Sequence, residues 1–194
     1  MVDPTPAEPP RFTYGDYLRW TGDDRWELHD GKPVLMSPAP SCRHQETVVA
    51  LLAQIAPFLR GRPCSVFVAP FDVRLPEGGE ADAEVVTVVQ LDLLVVCDPA
   101  KLDDLGCHGA PDWVIEVLSP ATEARDRVQK RDLYERHGVR EYWLVDPDRP
   151  VVTIYRLDPT QSRFAAPHVG SAEGTTASAS LPDLAIDWSL VFPQ

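Results

Sequence analysis

VVTVVQLDLLVVC (residues 85–97) and DWVIEVL (residues 112–118) decide the fold. Both are near-continuous apolar runs rich in β-branched residues. Such runs suit central strands covered on both faces, which favours a sheet flanked by helices over a sandwich with one wet face. SVFVAPFDVRL (residues 65–75) reads as a further strand. Asp92 and Glu116 each interrupt one of the first two runs with a single carboxylate.

Outward from these strands, residues 43 to 60 form the clearest helix. Val48, Leu51, Leu52, Ile55 and Leu59 follow helical spacing, Ser41 can cap the start and Gly61 the end, and Pro57 falls in the last turn. RWELHDGKPVLMSP predicts a hairpin turning at Asp30-Gly31, which puts Glu27 on a strand. A second, mostly polar helix is predicted over about 121 to 137, with Thr122 or Ser119 as its cap and Gly138 after its last turn. EYWLV and VVTIYRL flank the turn PDRP as a closing hairpin, and LAIDWSLVF adds an edge strand or packs over the sheet. The proline-rich residues 1 to 10 read as a disordered tail before a single domain over 11 to 194, and GSAEGTTASAS (170–180) reads as a small-residue loop.

The chain has 194 residues, enough for one core without metals or crosslinks. No apolar run approaches the roughly 18 to 20 residues of a membrane span. The N-terminus lacks a basic region followed by an apolar stretch, which points to the cytoplasm. Cys42, Cys64, Cys97 and Cys107 contain no CxxC pair and are expected to be ordinary thiols. A net charge of −12 opposes general adhesion to nucleic acid, whose sequence-independent affinity comes from cations replacing counterions on phosphates.

The two interrupting carboxylates carry the chemistry. A buried, unpaired carboxylate costs several kcal/mol or more, so each needs compensation by an ion pair or a metal. On adjacent strands they would stand side by side, where like charges raise each other's pKa unless a cation lies between them. Hard oxygen ligands of this kind suit Mg²⁺ or Mn²⁺. Lys130 lies one helical turn after Asp126, and a surface ion pair between them is the plain alternative.

The ordered series FTYGDYL, WELHDGKPVLMSPAPSCRHQ, LDLLVV, GAPDWVIEVLSPAT and DRVQKRDLYERHGVREYWLVDP resembles the Uma-two family of restriction-endonuclease-like proteins, a branch of the PD-(D/E)xK nuclease superfamily, over about residues 11 to 157. The resemblance implies an α/β (α+β) restriction-endonuclease-like fold, a mixed central sheet flanked by helices. It also implies a metal-dependent DNA endonuclease with Mg²⁺ or Mn²⁺ held by Asp92 and Glu116. Lys130 matches a lysine moved onto the following helix, and Glu27 and His44 match polar positions directed toward the same pocket. Leu91 stands where a proline usually precedes the first acid, and Val117-Leu118 follow Glu116 where the parent superfamily places its lysine.

Residues 121 to 140 hold six basic groups against four acids, so Arg125, Arg127 and Arg131 are the expected DNA-facing cations. The acidic charge makes DNA binding weak or partner-assisted, with no membrane partner and with a homodimer allowed. Two further readings stay open: an inactive nucleic-acid-binding or partner-binding module of the same fold, and a hydrolase of smaller phosphoesters.

Overall fold

The computed structural model describes residues 10–36 and 39–193. The expected N-terminal tail lies, but for Pro10, outside the described residues. Along the chain, α1 (Tyr14–Tyr17) precedes β1 (Trp26–His29), β2 (Lys32–Leu35) and α2 (Cys42–Leu59). Then come β3 (Ser65–Val68), β4 (Asp72–Arg74), β5 (Val88–Gln90), β6 (Leu93–Val96), β7 (Leu102–Asp103), β8 (Gly106–His108) and β9 (Trp113–Val117). A π-helical segment (Arg125–Lys130) leads into α3 (Arg131–Arg136), followed by β10 (Glu141–Asp146), β11 (Val151–Asp158), β12 (Arg163–Phe164), β13 (His168–Ser171), β14 (Thr175–Ala177), β15 (Ala185–Asp187) and α4 (Trp188–Val191).

The mixed sheet runs β12-β11-β10-β9-β6-β3, with β13 also on β11; β9 and β10 are parallel and their other neighbours antiparallel. A second sheet runs β2-β1-β5-β4-β8-β7. The strands expected to be continuous over 65–75 and 85–97 are each divided between the two sheets. The first breaks around Pro70, which has no N–H to give a ladder, and the second at Leu91-Asp92. Asp92 therefore sits where the chain crosses from one sheet to the other.

Alternation along β9 and β10 separates two cores. Trp113, Ile115, Val117, Trp143 and Val145 pack with Val48, Leu51 and Ile55 of α2, while Val114, Leu118, Tyr142 and Leu144 pack with Leu133 and Tyr134 of α3. The buried stripe of α2 is His44, Thr47, Val48, Leu51, Ile55 and Leu59, capped by Ser41 Oγ, which accepts from the His44 N–H at 3.2 Å. Leu51 and Ile55 are fully buried, each worth about 1.5–3 kcal/mol, and either changed to alanine would cost about 2–5 kcal/mol.

The Asp30-Gly31 turn has positive φ at both residues (53° and 78°), as a two-residue hairpin of this hand requires. Gly61 and Gly138 follow their helices with φ of 74° and 80°. Three expectations are corrected. Cys64 and Cys97 form a disulfide, because the β3–β6 register that pairs Ser65 with Val96 sets them opposite each other; the thiols are free at Cys42 and Cys107. The second helix is not a uniform α-helix, since its middle is π-helical. The segment 170–180 is no simple loop: it contributes to β13 and forms β14, and it buries Ala172 and Ser178. Among the described residues, no helix is long and apolar enough to cross a membrane.

Candidate active site

Antiparallel pairing of β6 with β9 matches Leu93 with Ile115, so Asp92 falls opposite Glu116. The two acids are locked reciprocally: the Asp92 N–H donates to Glu116 Oε2 (3.2 Å), and the Val117 N–H donates to Asp92 Oδ2 (2.9 Å). His44, first on the buried stripe of α2, donates from Nε2 to the same Asp92 Oδ2 at 3.2 Å. Glu116 Oε1 accepts from Lys130 Nζ at 2.8 Å and from the Tyr134 hydroxyl at 3.0 Å. Each carboxylate thus has one oxygen held firmly by the protein. The other is lightly engaged in Glu116 and has no hydrogen-bond donor among the described residues in Asp92.

Lys130 reaches this point because the π-helical turn and α3 carry Asp126, Lys130 and Tyr134 down one buried face. Its ammonium lies 3.3 Å from Glu27 Oε1 and 3.7 Å from Asp126 Oδ1, as well as touching Glu116. Glu27, on β1, also accepts from the Gln90 N–H (3.0 Å) and from His29 Nε2 (3.0 Å). Asp126 Oδ1 is buried with no hydrogen-bond partner.

Three carboxylates therefore converge on one ammonium, with Asp92 beside Glu116, and the proton affinities divide accordingly. Burial, reinforced by the charges of Asp92 and Asp126, raises the Glu116 carboxyl well above its ordinary range despite Lys130. Burial also pushes on Glu27, but Lys130 and His29 outweigh it and bring its pKa down to about 2. Asp92 is lowered in spite of burial, through His44 and the Val117 N–H. Burial alone would depress Lys130, yet Glu116, Glu27 and Asp126 hold it well above its usual value.

These groups open on a cleft of about 610 Å³, bounded by Glu27, His44, Asp92, Glu116, Asp126 and Lys130. Among the described residues, no three acids or imidazoles already stand at ligand geometry around one point. The donor set nonetheless fits a hard divalent cation. Carboxylate charge exceeds the neighbouring cationic charge, Asp126 Oδ1 has no hydrogen bond, and Asp92 and Glu116 adjoin, the first with a free oxygen and the second with Oε2 only lightly engaged.

The structure brings Glu27, His44, Asp92, Glu116 and Lys130 together. It divides the expected DNA-facing arginines. Arg125 lines the cleft, whereas Arg127 is paired with Glu123 and Arg131 with Asp132, both outside it. Sequence reading missed Tyr134, Gln90 and Arg25. Tyr134 was legible as a residue one turn beyond Lys130; Gln90 and Arg25 have their place only through strand pairing.

Over 159 residues, 80% of this chain and 80% of the relative, the sequence is 28% identical to the uncharacterized protein slr1290 of Synechocystis sp.. A crystal structure of a "putative nuclease belonging to DUF820" from Anabaena variabilis is similar at a TM-score of 0.72 and 20% identity, covering 93% of this chain and 97% of that one, which shows a shared fold. A family model described as "Putative restriction endonuclease" matches residues 14–189, and the chain belongs to that family, Uma2.

Proposed function

We propose that the chain is a Mg²⁺- or Mn²⁺-dependent endonuclease that hydrolyses phosphodiester bonds in DNA, acting in the cytoplasm. One observation carries this reading: Asp92 and Glu116 are locked to each other by two backbone N–H groups at the edge of a cleft, with one Asp92 oxygen free of donors among the described residues and Glu116 Oε2 engaged only by a long 3.2 Å backbone contact. Asp92 and Glu116 would hold the ion, which when bound supplies Lewis acidity toward a phosphoryl oxygen and water. The chain's own groups do the rest. His44 and the Val117 N–H fix the orientation of Asp92, and Tyr134 and Lys130 fix that of Glu116. An ammonium set among three carboxylates acts as a positive charge and hydrogen-bond donor rather than a proton acceptor, so Lys130 stabilises negative charge growing on the phosphate. Glu27 sets the position of Lys130.

The test is paired calorimetry and cleavage. Wild-type protein should bind Mn²⁺ and cut single-stranded, duplex or branched DNA. Asp92→Asn and Glu116→Gln should lose both properties while remaining folded. The absence of cutting on all three substrates with both ions would defeat the reading. A second reading, an inactive module that keeps the fold, is favoured by the way Lys130 already satisfies Glu116 and Glu27. Mn²⁺ binding without turnover, or DNA binding without Mn²⁺ binding, would identify it.

A further inference from the structure

In this acidic chain, most arginines pair with carboxylates. Outside the cleft lining, Arg43 pairs with Asp148, Arg127 with Glu123, Arg131 with Asp132, Arg136 with Asp30 and Arg140 with Asp112. Arg25 is different. It is exposed at the cleft wall and makes no ion pair among the described residues. Its guanidinium is instead held by a neutral group: Nε donates to Gln90 Oε1 at 3.2 Å, and Nη2 donates to the same oxygen.

Gln90 is itself fixed. Its Nε2 donates to Asp72 Oδ1 (2.9 Å) and to the Tyr17 hydroxyl (3.2 Å), which forces Oε1 toward Arg25. Its backbone N–H donates to Glu27 Oε1 (3.0 Å), and Glu27 contacts Lys130. One residue thus ties the arginine to the acid–lysine cluster. Two of the five guanidinium N–H groups meet the amide, leaving three donors for an external anion, and the nearby Asp72 acts on the positive charge only through space, from beyond the Gln90 amide.

We propose that Arg25 is a phosphate anchor, held on the Gln90 amide beside the acid–lysine cluster, that takes a backbone phosphate of a nucleic acid strand flanking the one over Asp92 and Glu116. The proposal rests on the nuclease reading for its ligand. It needs no metal and no turnover, because the anchor is a binding group. Arg125, on the π-helical side of the same cleft, has no ion pair among the described residues and supplies a second contact.

The measurement is fluorescence anisotropy of a short fluorescein-labelled DNA duplex in EDTA, over a series of NaCl concentrations. Each phosphate contact contributes about 0.9 to the slope of log K against log salt. Arg25→Gln should reduce that slope by about 0.9 and weaken binding about tenfold, as the loss of one charge-assisted contact does. Gln90→Glu should match it although Arg25 remains, since the new carboxylate neutralises the guanidinium where it stands. Arg62→Gln, at an arginine paired with Asp183, should leave the slope unchanged. An unchanged slope in Arg25→Gln, wild-type affinity in Gln90→Glu, or no wild-type binding at the lowest salt would each overturn the proposal. The two claims separate cleanly: an Arg25-dependent slope without cleavage keeps the anchor and removes the nuclease, whereas cleavage with an Arg25-independent slope does the reverse.

Discussion

Glu116 and Glu141 are both glutamates in the mixed sheet, on neighbouring parallel strands, and both are buried. Their surroundings are opposite. Glu141 faces the α2 side, where Trp143 Nε1 (2.9 Å), Ser178 Oγ (2.8 Å) and the N–H groups of Ala179 (2.8 Å) and Ser180 (2.9 Å) donate to it, with Arg156 Nε at 3.4 Å. Glu116 faces the α3 side and has Lys130, Tyr134 and the Asp92 N–H, while Asp92 and Asp126 press like charge upon it. A buried carboxylate surrounded by donors is a structural knot. A buried carboxylate crowded by other carboxylates is a place where charge has been concentrated at a cost in stability, and that cost makes it a candidate for function.

The largest expected effect separates these two roles. Glu141→Ala should destabilise by about 3–5 kcal/mol, because it strands buried donors and releases the segment that contains Ser178–Ser180. Glu116→Gln should leave stability within about 1 kcal/mol of wild type or raise it, since it removes a repelled charge, yet abolish DNA cleavage. Urea melts of the two variants beside a cleavage assay check both statements. A large loss of stability in Glu116→Gln would place Glu116 with Glu141 as a structural knot.

Lys130 sharpens the contrast through pH. In the wild type, Glu27 has a folded pKa of about 2 against an ordinary 4.5, so its contribution is present above pH 4.5 and is lost as pH falls toward 2. Lys130→Met removes the cation that Glu27, Glu116 and Asp126 share. The folded pKa of Glu27 then rises, those of Glu116 and Asp126, already raised by burial, rise further, and stability is lost as pH rises. The variant should be about 3–5 kcal/mol less stable than wild type near neutrality and recover much of that at mildly acidic pH. Melting temperatures between pH 5 and 8 check the sign: the variant should melt higher at the acidic end, relative to wild type, than at the neutral end.

The elements were largely legible in the sequence because periodicity and turn chemistry are local. The stripe from Val48 to Leu59 gave α2, and Asp30-Gly31 gave the β1–β2 hairpin. Acids interrupting apolar strands pointed to Asp92 and Glu116; Glu141 heads the run EYWLV rather than interrupting one, so nothing local marked it as buried. Its role was hidden because the donors that satisfy it come from residues 178–180, far along the chain. The division of two apolar runs between two sheets, the Cys64–Cys97 disulfide and the tethering of Arg25 by Gln90 were hidden for the same reason: each depends on strand pairing. The family resemblance supplied Glu27, His44 and Lys130, and the structure supplied the contacts that bring them together.

The smallest effect tests the finest part of the comparison, whether donors to Glu116 orient it for function or merely satisfy it. Two tyrosines of the same core offer a matched pair. The Tyr134 hydroxyl donates to Glu116 Oε1 at 3.0 Å, and the Tyr142 hydroxyl donates to the backbone carbonyl of Asp126 at 3.1 Å. Both are buried, and their rings meet edge to face. Changing either to phenylalanine removes one hydrogen bond and leaves the packing, so each should cost about 0.5–1.5 kcal/mol of stability. Function should divide them. Without the Tyr134 hydroxyl, Glu116 Oε1 is held by Lys130 alone and the carboxylate can turn, so Mn²⁺ affinity should fall about 10- to 100-fold, as it does when an outer partner of a metal ligand is lost. Tyr142→Phe should bind Mn²⁺ as the wild type does. Equal Mn²⁺ affinities for the two variants, at equal melting temperatures, would mean that the hydroxyl on Glu116 is only a packing contact and that Lys130 suffices to hold the acid.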